Sequence, residues 1–218
     1  MTLFDLVTYS IWINLVIGIF SFTKLKPFRL HYLLIFQIIS AIAEAILIYV
    51  LPMQEGTYVR YVYCFLKPFE YTVFTYLFNP DIIRKSIQNS YLIFSIIVLF
   101  IYASYNLIFM INTKSAANNV TILEGSFTII LVLLYFKKTL KSKEIIILSK
   151  EPLFWIATGL LFFYTGNIIA TGFYHRLREY SPELAKSLYS LNFILGILLS
   201  ILTSFAYIVA FKKQQNNE

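Results

Sequence analysis

Residues 91–111 read YLIFSIIVLFIYASYNLIFMI and contain no charged side chain. A run of about 20 apolar residues in a helix is long enough to cross the hydrocarbon core of a bilayer. The same criterion identifies six further segments in the chain, each bounded by charged or turn-forming residues. The seven predicted spans are 3–22, 32–52, 58–78, 91–111, 120–136, 153–174 and 189–211.

The composition of the whole chain agrees with this pattern. Of its 218 residues 59% are hydrophobic and 13% are charged, and the mean hydropathy is +0.72. Soluble domains are about 45–50% apolar and about 25% charged. A soluble protein of this length could not bury so much apolar surface in one core. We therefore predict an all-α membrane bundle in which residues 1–218 form a single seven-helix transmembrane domain.

The placement of lysine and arginine predicts the orientation, because these residues concentrate in cytoplasmic loops. With the N-terminus outside and the C-terminus in the cytoplasm, 12 of the 18 basic residues lie inside, 5 lie outside and Lys67 lies within a span. The net charge of +7 is then an insertion signal, and we predict no nucleic-acid partner. The inner residues are Lys24, Lys26, Arg29, Arg84, Lys85, Lys137, Lys138, Lys141, Lys143, Lys150, Lys212 and Lys213, and the outer ones are Arg60, Lys114, Arg176, Arg178 and Lys186.

Polar side chains inside the predicted spans are the candidate functional residues. Ionisable groups are costly in lipid, so they usually face a bundle interior and often mark a binding site or a proton relay. Most of them fall in the outer halves of their spans, which favours a polar cavity open to the outside. The predicted ligand-binding residues are Glu44, Lys67, Glu70, Asn106, Glu124 and Asn167.

Lys67 and Glu70 have more than one interpretation. At positions i and i+3 they can form a structural ion pair on their own helix, and Pro68 between them interrupts the backbone hydrogen bonds of that turn. Either residue can instead contact a ligand or an ion. In a third interpretation Glu70 or Glu44 takes part in a proton relay.

The sixth predicted span carries small residues at helical spacing. Gly159 and Gly166 are seven residues apart, and Gly172 follows them on the same span. Small residues allow neighbouring helices to approach closely. Tight packing of this helix is one interpretation, and a helix that shifts when a ligand binds is the other.

Enzymatic motifs are missing from the sequence. There is no Walker A motif, G-x-S-x-G, H-E-x-x-H or C-x-x-C. His31 and His175 are predicted on opposite sides of the membrane, so they cannot share a metal ion. The single cysteine, Cys64, excludes an intramolecular disulfide. We predict a protein that is not an enzyme, with no catalytic residue, no metal and no cofactor.

A resemblance to a group of known proteins adds to what the individual residues indicate. Residues 151–167, EPLFWIATGLLFFYTGN, followed by a last helix that contains Asn192, resemble a group of small uncharacterised bacterial seven-helix membrane proteins. Members of this group are often encoded beside sensor histidine kinases, and they are similar to the seven-helix input regions of some kinases. The resemblance implies a location in the bacterial cytoplasmic (inner) membrane and a role in signalling.

Three functions fit the sequence. The first is a receptor-like sensor or accessory subunit that binds an unidentified small molecule in the outward-facing cavity and signals to a separate partner, such as a histidine kinase. The second is a small secondary transporter or channel, which the titratable residues within the spans favour. The third is a structural subunit of a membrane complex. In all three the lipid bilayer is itself a partner of the chain.

Overall fold

The chain folds into helices in the part that the structure describes. The structure is a computed structural model, and it describes residues 3–49, 57–79, 89–110, 116–141 and 147–215, with no strand in these ranges. Short 3₁₀ turns at Lys26–Phe28 and Leu148–Lys150 precede the second and sixth helices. The α-helices are α1 (Leu3–Leu25), α2 (Leu30–Tyr49), α3 (Thr57–Phe78), α4 (Ser90–Phe109), α5 (Ala116–Leu140), α6 (Pro152–Tyr180) and α7 (Pro182–Gln215).

Six of the seven α-helices are long and apolar enough to cross a membrane. The exception is α3, whose hydropathy is lowered by Arg60, Lys67 and Glu70. The predicted all-helical class is confirmed for the described residues, whereas the count of seven spans and the orientation of the termini stay predictions. The six candidate spans are Asp5–Phe28, Leu30–Leu47, Ser90–Phe109, Ala117–Leu140, Pro152–Tyr174 and Pro182–Gln215.

Some features predicted from the sequence lie outside the described residues. The C-terminal ends of the predicted spans 32–52 and 91–111 belong to this group. Four of the basic residues that were used to predict the orientation also belong to it, namely Arg84, Lys85, Lys114 and Lys143.

The chain divides into two compact units. The terminal unit consists of Met1–Leu34 and Thr128–Glu218, and the central unit consists of Ile35–Phe127. The terminal unit therefore holds α1, α6, α7 and the end of α5, while the central unit holds α3, α4, most of α2 and the start of α5. The prediction of a single domain over residues 1–218 stays a prediction.

In the terminal unit, α7 packs against both α6 and α1. Two glycines of α6 allow the close approach to α7, because a Cβ on Gly159 would lie 3.0 Å from Leu199 Cδ1 and a Cβ on Gly166 would overlap Leu195 Cδ1. Gly172 has no described neighbour within 4 Å of such a Cβ. Of these three glycines, Gly159 and Gly166 therefore serve helix packing.

In the central unit, α3 packs against α4. The hydroxyl oxygens of Tyr71 and Ser95 are 2.8 Å apart within this interface, and the Phe69 and Phe100 rings meet edge to face with their centroids 5.2 Å apart. A buried hydrogen bond and an aromatic pair both favour the rotation of α3 that turns Phe69 and Tyr71 toward α4. These contacts therefore position the polar residues that α3 carries.

Large apolar side chains are exposed along several helices. Phe20 of α1 is 83% exposed and Ile108 of α4 is 69% exposed. Isolated exposed apolar residues are ordinary in soluble proteins, but stripes along a whole helix are typical of surfaces that face lipid or a partner. The described helices are thus compatible with contact with a bilayer. On α4 the stripe consists of Phe94, Ile97, Ile101, Tyr105 and Ile108.

Candidate functional site

The candidate site is built on a polar face of α3. Tyr63, Lys67 and Glu70 are spaced four and three residues apart, so they share one side of this helix. Lys67 Nζ lies 2.6 Å from Glu70 Oε2 on the same helix and 3.4 Å from Glu124 Oε2 on α5. The Lys67 ammonium therefore bridges two carboxylates and joins α3 to α5.

Tyr63 connects a third carboxylate to this face. Its hydroxyl donates a hydrogen bond to Glu44 Oε1 on α2, at 3.3 Å. The Glu44 carboxylate is also attracted by the Lys67 ammonium and repelled by the Glu70 carboxylate. The group thus draws on three helices of the central unit. We call it the charged cluster, and its members are Glu44, Tyr63, Lys67, Glu70 and Glu124.

The charged cluster is largely withdrawn from the surface. The Glu124 side chain is 0% exposed, that of Lys67 is 12% exposed and that of Glu70 is 21% exposed. Charges at this depth lose most of their hydration, and ion pairing with good geometry offsets part of that cost. Of these three side chains, Glu70 is the one that a group from outside the cluster reaches most easily.

Carboxylates outnumber ammonium groups in the charged cluster. Glu44, Glu70 and Glu124 face the single lysine Lys67, so the formal charge with all groups ionised is −3 + 1 = −2. In a low-dielectric interior such an excess is unfavourable unless protons or other positive charges compensate it. The arrangement is therefore chemically suited to an exchange of charge with a ligand or with protons.

Pro68 modifies the backbone beside Lys67. Proline has no amide hydrogen, so the carbonyl of Cys64 one turn earlier receives no helical hydrogen bond from it. The helix nevertheless continues from Thr57 to Phe78, and Thr72 Oγ1 donates a hydrogen bond of 2.7 Å to the Pro68 carbonyl. The backbone ladder of α3 consequently lacks one bond immediately beside the lysine.

Two of the six predicted ligand-binding residues make their described hydrogen bonds within their own helices. Asn106 is buried on α4 and donates from Nδ2 to the Tyr102 carbonyl at 2.9 Å. Asn167 on α6 accepts a hydrogen bond at Oδ1 from Thr171 Oγ1, also at 2.9 Å. Asn106 belongs to the central unit and Asn167 to the terminal unit. The structure thus brings together the ionisable members of the predicted set.

No group of three or more His, Cys, Asp or Glu side chains in the described residues is arranged to hold a metal ion. The three carboxylates of the charged cluster engage a lysine and a tyrosine hydroxyl instead.

Sequence reasoning missed Tyr63. The chain has 17 tyrosines, and this amphipathic residue is common in membrane segments. The presence of a tyrosine therefore does not by itself indicate a functional site. The informative pattern is the spacing of Tyr63, Lys67 and Glu70, which places a hydroxyl on the same helical face as the ion pair.

Comparison with known proteins found no relative: no protein-family model, no curated protein and no solved structure matches the chain.

Proposed function

We propose that this chain is an integral protein of the bacterial cytoplasmic membrane with seven spans, the N-terminus outside and the C-terminus in the cytoplasm. The six apolar helices support a membrane location. The remaining helix, α3, has 22 residues, which corresponds to about 33 Å and is long enough to cross. Its Lys67 and Glu70 pair with each other, which reduces the cost of placing both in lipid.

The charged cluster acts as the ligand-binding site of a receptor-like sensor or accessory subunit. The observation that carries this proposal is the bridge from Lys67 to both Glu70 and Glu124. A small polar or charged molecule that competes for Lys67 would weaken the link between α3 and α5. Such a ligand has different affinities for the joined and separated arrangements, which is the requirement for a conformational signal.

The signal passes to a separate protein, for which a histidine kinase is the partner that the resemblance of residues 151–167 suggests. Extraction of the tagged chain from native membranes into nanodiscs, followed by mass spectrometry, tests this. We expect a kinase, or another protein with a cytoplasmic output domain, in stoichiometric amount. A chain that is recovered without any such protein would contradict the sensor proposal.

A matched pair of variants links the partner to the charged cluster. In the co-purified assembly, Lys67→Met should change the autophosphorylation rate of the kinase, because it removes the bridge to Glu70 and Glu124. The control is Lys186→Gln, since Lys186 is exposed at the start of α7. An equal effect of both variants, or none from Lys67→Met in folded protein, would count against this use of the cluster.

A proton-coupled transporter is the second candidate, and the excess of carboxylates in the charged cluster favours it. Carboxyl groups that bind and release protons within a membrane are typical of proton relays. In proteoliposomes with a pH-sensitive dye inside, the wild-type chain would then move protons. Glu70→Gln should abolish this movement, whereas Glu179→Gln, at an exposed position of α6, should preserve it. Absence of proton movement in the wild type would exclude substrate-independent proton transport by this chain.

A further inference from the structure

The end of α7 brings together three basic segments of the terminal unit. Lys213 Nζ lies 2.5 Å from Glu151 Oε1, at the start of α6. The same nitrogen lies 5.6 Å from the centroid of the Phe28 ring, in the turn between α1 and α2. Lys213 therefore contacts residues next to two other groups of basic side chains. We call the lysines and arginines of these three segments the basic junction. Its members are Lys24, Lys26, Arg29, Lys150, Lys212 and Lys213.

The basic junction carries a large excess of positive charge. Its six basic residues lie in the segments 24–29, 150–151 and 212–213, where Glu151 is the only acidic residue. The formal charge of these segments is thus +6 − 1 = +5. Like charges gathered in this way repel one another, and an anion that binds among them relieves the repulsion.

Several members of the basic junction are accessible to a ligand. Lys26, Lys150 and Lys212 are all exposed. The turn that carries Lys26 and Arg29 has a defined shape, because Arg29 has a left-handed backbone with φ 61° and its amide donates to the Lys26 carbonyl. A well-defined turn presents its side chains to an anion with a smaller loss of conformational entropy.

Aromatic side chains accompany the basic junction. Trp155, one turn into α6, donates from Nε1 to the Ser149 carbonyl at 3.0 Å, and its ring stacks on Phe205 with the centroids 5.6 Å apart. Tryptophan side chains with a bonded N–H and an apolar ring are typical of the level at which lipid headgroups lie. The Phe28 ring beside Lys213 adds apolar surface.

We propose that the basic junction binds the phosphate of an anionic phospholipid. Lysine and arginine at the cytoplasmic ends of spans attract anionic headgroups, and basic pockets between helices hold them. A lipid fits better than a free phosphate, because α1, α6 and α7 lead directly from the junction into apolar helix surface that acyl chains can follow. This inference is independent of the charged cluster, which lies in the central unit, so either proposal can fail without the other.

Lipid binding to the purified chain in detergent provides the test. Phosphatidylglycerol is titrated against thermal unfolding, with phosphatidylcholine as the zwitterionic lipid of no net charge and glycerol phosphate as the soluble phosphate. We expect phosphatidylglycerol alone to raise the unfolding temperature. In the Lys26→Gln/Lys212→Gln variant the apparent affinity for it should fall about fivefold for each lysine removed, roughly 25-fold in total.

The control variant is Arg178→Gln/Lys186→Gln, which removes two exposed charges at the opposite ends of α6 and α7. It should bind phosphatidylglycerol like the wild type. Three results would overturn the proposal: equal stabilisation by phosphatidylcholine, equal stabilisation by glycerol phosphate, or equal loss of affinity in the two variants. Both double variants should unfold like the wild type in phosphatidylcholine, since the replaced side chains are exposed.

Discussion

Tyr63 on α3 donates its hydroxyl hydrogen to Glu44 on α2 across a distance of 3.3 Å. This bond brings a carboxylate of a second helix to the face of α3 that carries Lys67 and Glu70. Because both partners are at least partly buried, water replaces the bond poorly when it is lost. Tyr63 thus makes Glu44 part of the charged cluster.

Replacement of Tyr63 by phenylalanine tests this connection. Tyr63→Phe removes the hydroxyl, so the partly buried Glu44 carboxylate loses this hydrogen bond. We expect a loss of about 1 kcal/mol in the free energy of unfolding. Denaturant titration in micelles, followed by circular dichroism, measures the change. Tyr61→Phe is the control, because Tyr61 is exposed on α3. Equal losses in the two variants would show that the hydroxyl of Tyr63 has no particular role.

The bridge from Lys67 to Glu124 allows a double-mutant cycle. Lys67→Met should cost about 3 kcal/mol of unfolding free energy, because it leaves two carboxylates without their ammonium partner. Glu124→Gln in the same background should restore part of this loss, since one of those carboxylates is then neutral. The coupling energy from the four unfolding titrations is expected to exceed about 0.5 kcal/mol. Strict additivity would mean that the two side chains do not interact.

Two glycines of α6 should respond differently to the same substitution. A leucine at position 166 would meet Leu195 of α7, so Gly166→Leu should separate the helices and cost about 2 kcal/mol. At position 172 there is no described atom within 4 Å of an added Cβ. There leucine has a higher helix propensity than glycine, and Gly172→Leu should be neutral or stabilising by up to about 1 kcal/mol. Thermal unfolding in detergent compares the two variants.

The topology can be tested with single cysteines, because Cys64 is the only native cysteine and is buried. With seven spans, an impermeant maleimide should label Tyr58→Cys and Lys186→Cys in intact cells. Ser90→Cys and Lys150→Cys should react only after the membrane is permeabilised. The four native residues are exposed, and the wild type should stay unlabelled throughout. Labelling of positions 58 and 90 from the same side would mean that α3 does not cross.

The apolar segments could be predicted well from the sequence, whereas the ends of the long helices could not. The predicted span 153–174 coincides with the apolar part of α6, but the helix itself continues to Tyr180. In the same way α7 begins at Pro182, before the predicted start at residue 189. Hydropathy detects where a helix suits lipid. It does not detect a helix that continues into polar residues of good helix propensity, such as Arg178 and Glu179 at the end of α6.

The charged members of the candidate site were predictable for a related reason. Glu44, Lys67, Glu70 and Glu124 stand out because charge is rare in apolar segments. The polarity of a side chain does not reveal which group it contacts. Asn106, for example, donates its hydrogen bond to the carbonyl of Tyr102 on its own helix. The contact between Lys67 and Glu124 joins residues that are distant in the sequence, so only the folded chain shows it.

The length of α7 has a mechanical consequence. Its 34 residues correspond to a rod of about 51 Å. A tilt of about 5° at one end of such a rod displaces the other end by about 4 Å. Since Gly159 and Gly166 keep α6 close to α7, the two helices would tilt together as one rigid body. A small tilt at the end that carries Glu151 and Lys213 could leave their ion pair intact. The same tilt would produce a larger displacement at Ser181, the residue that connects the two helices.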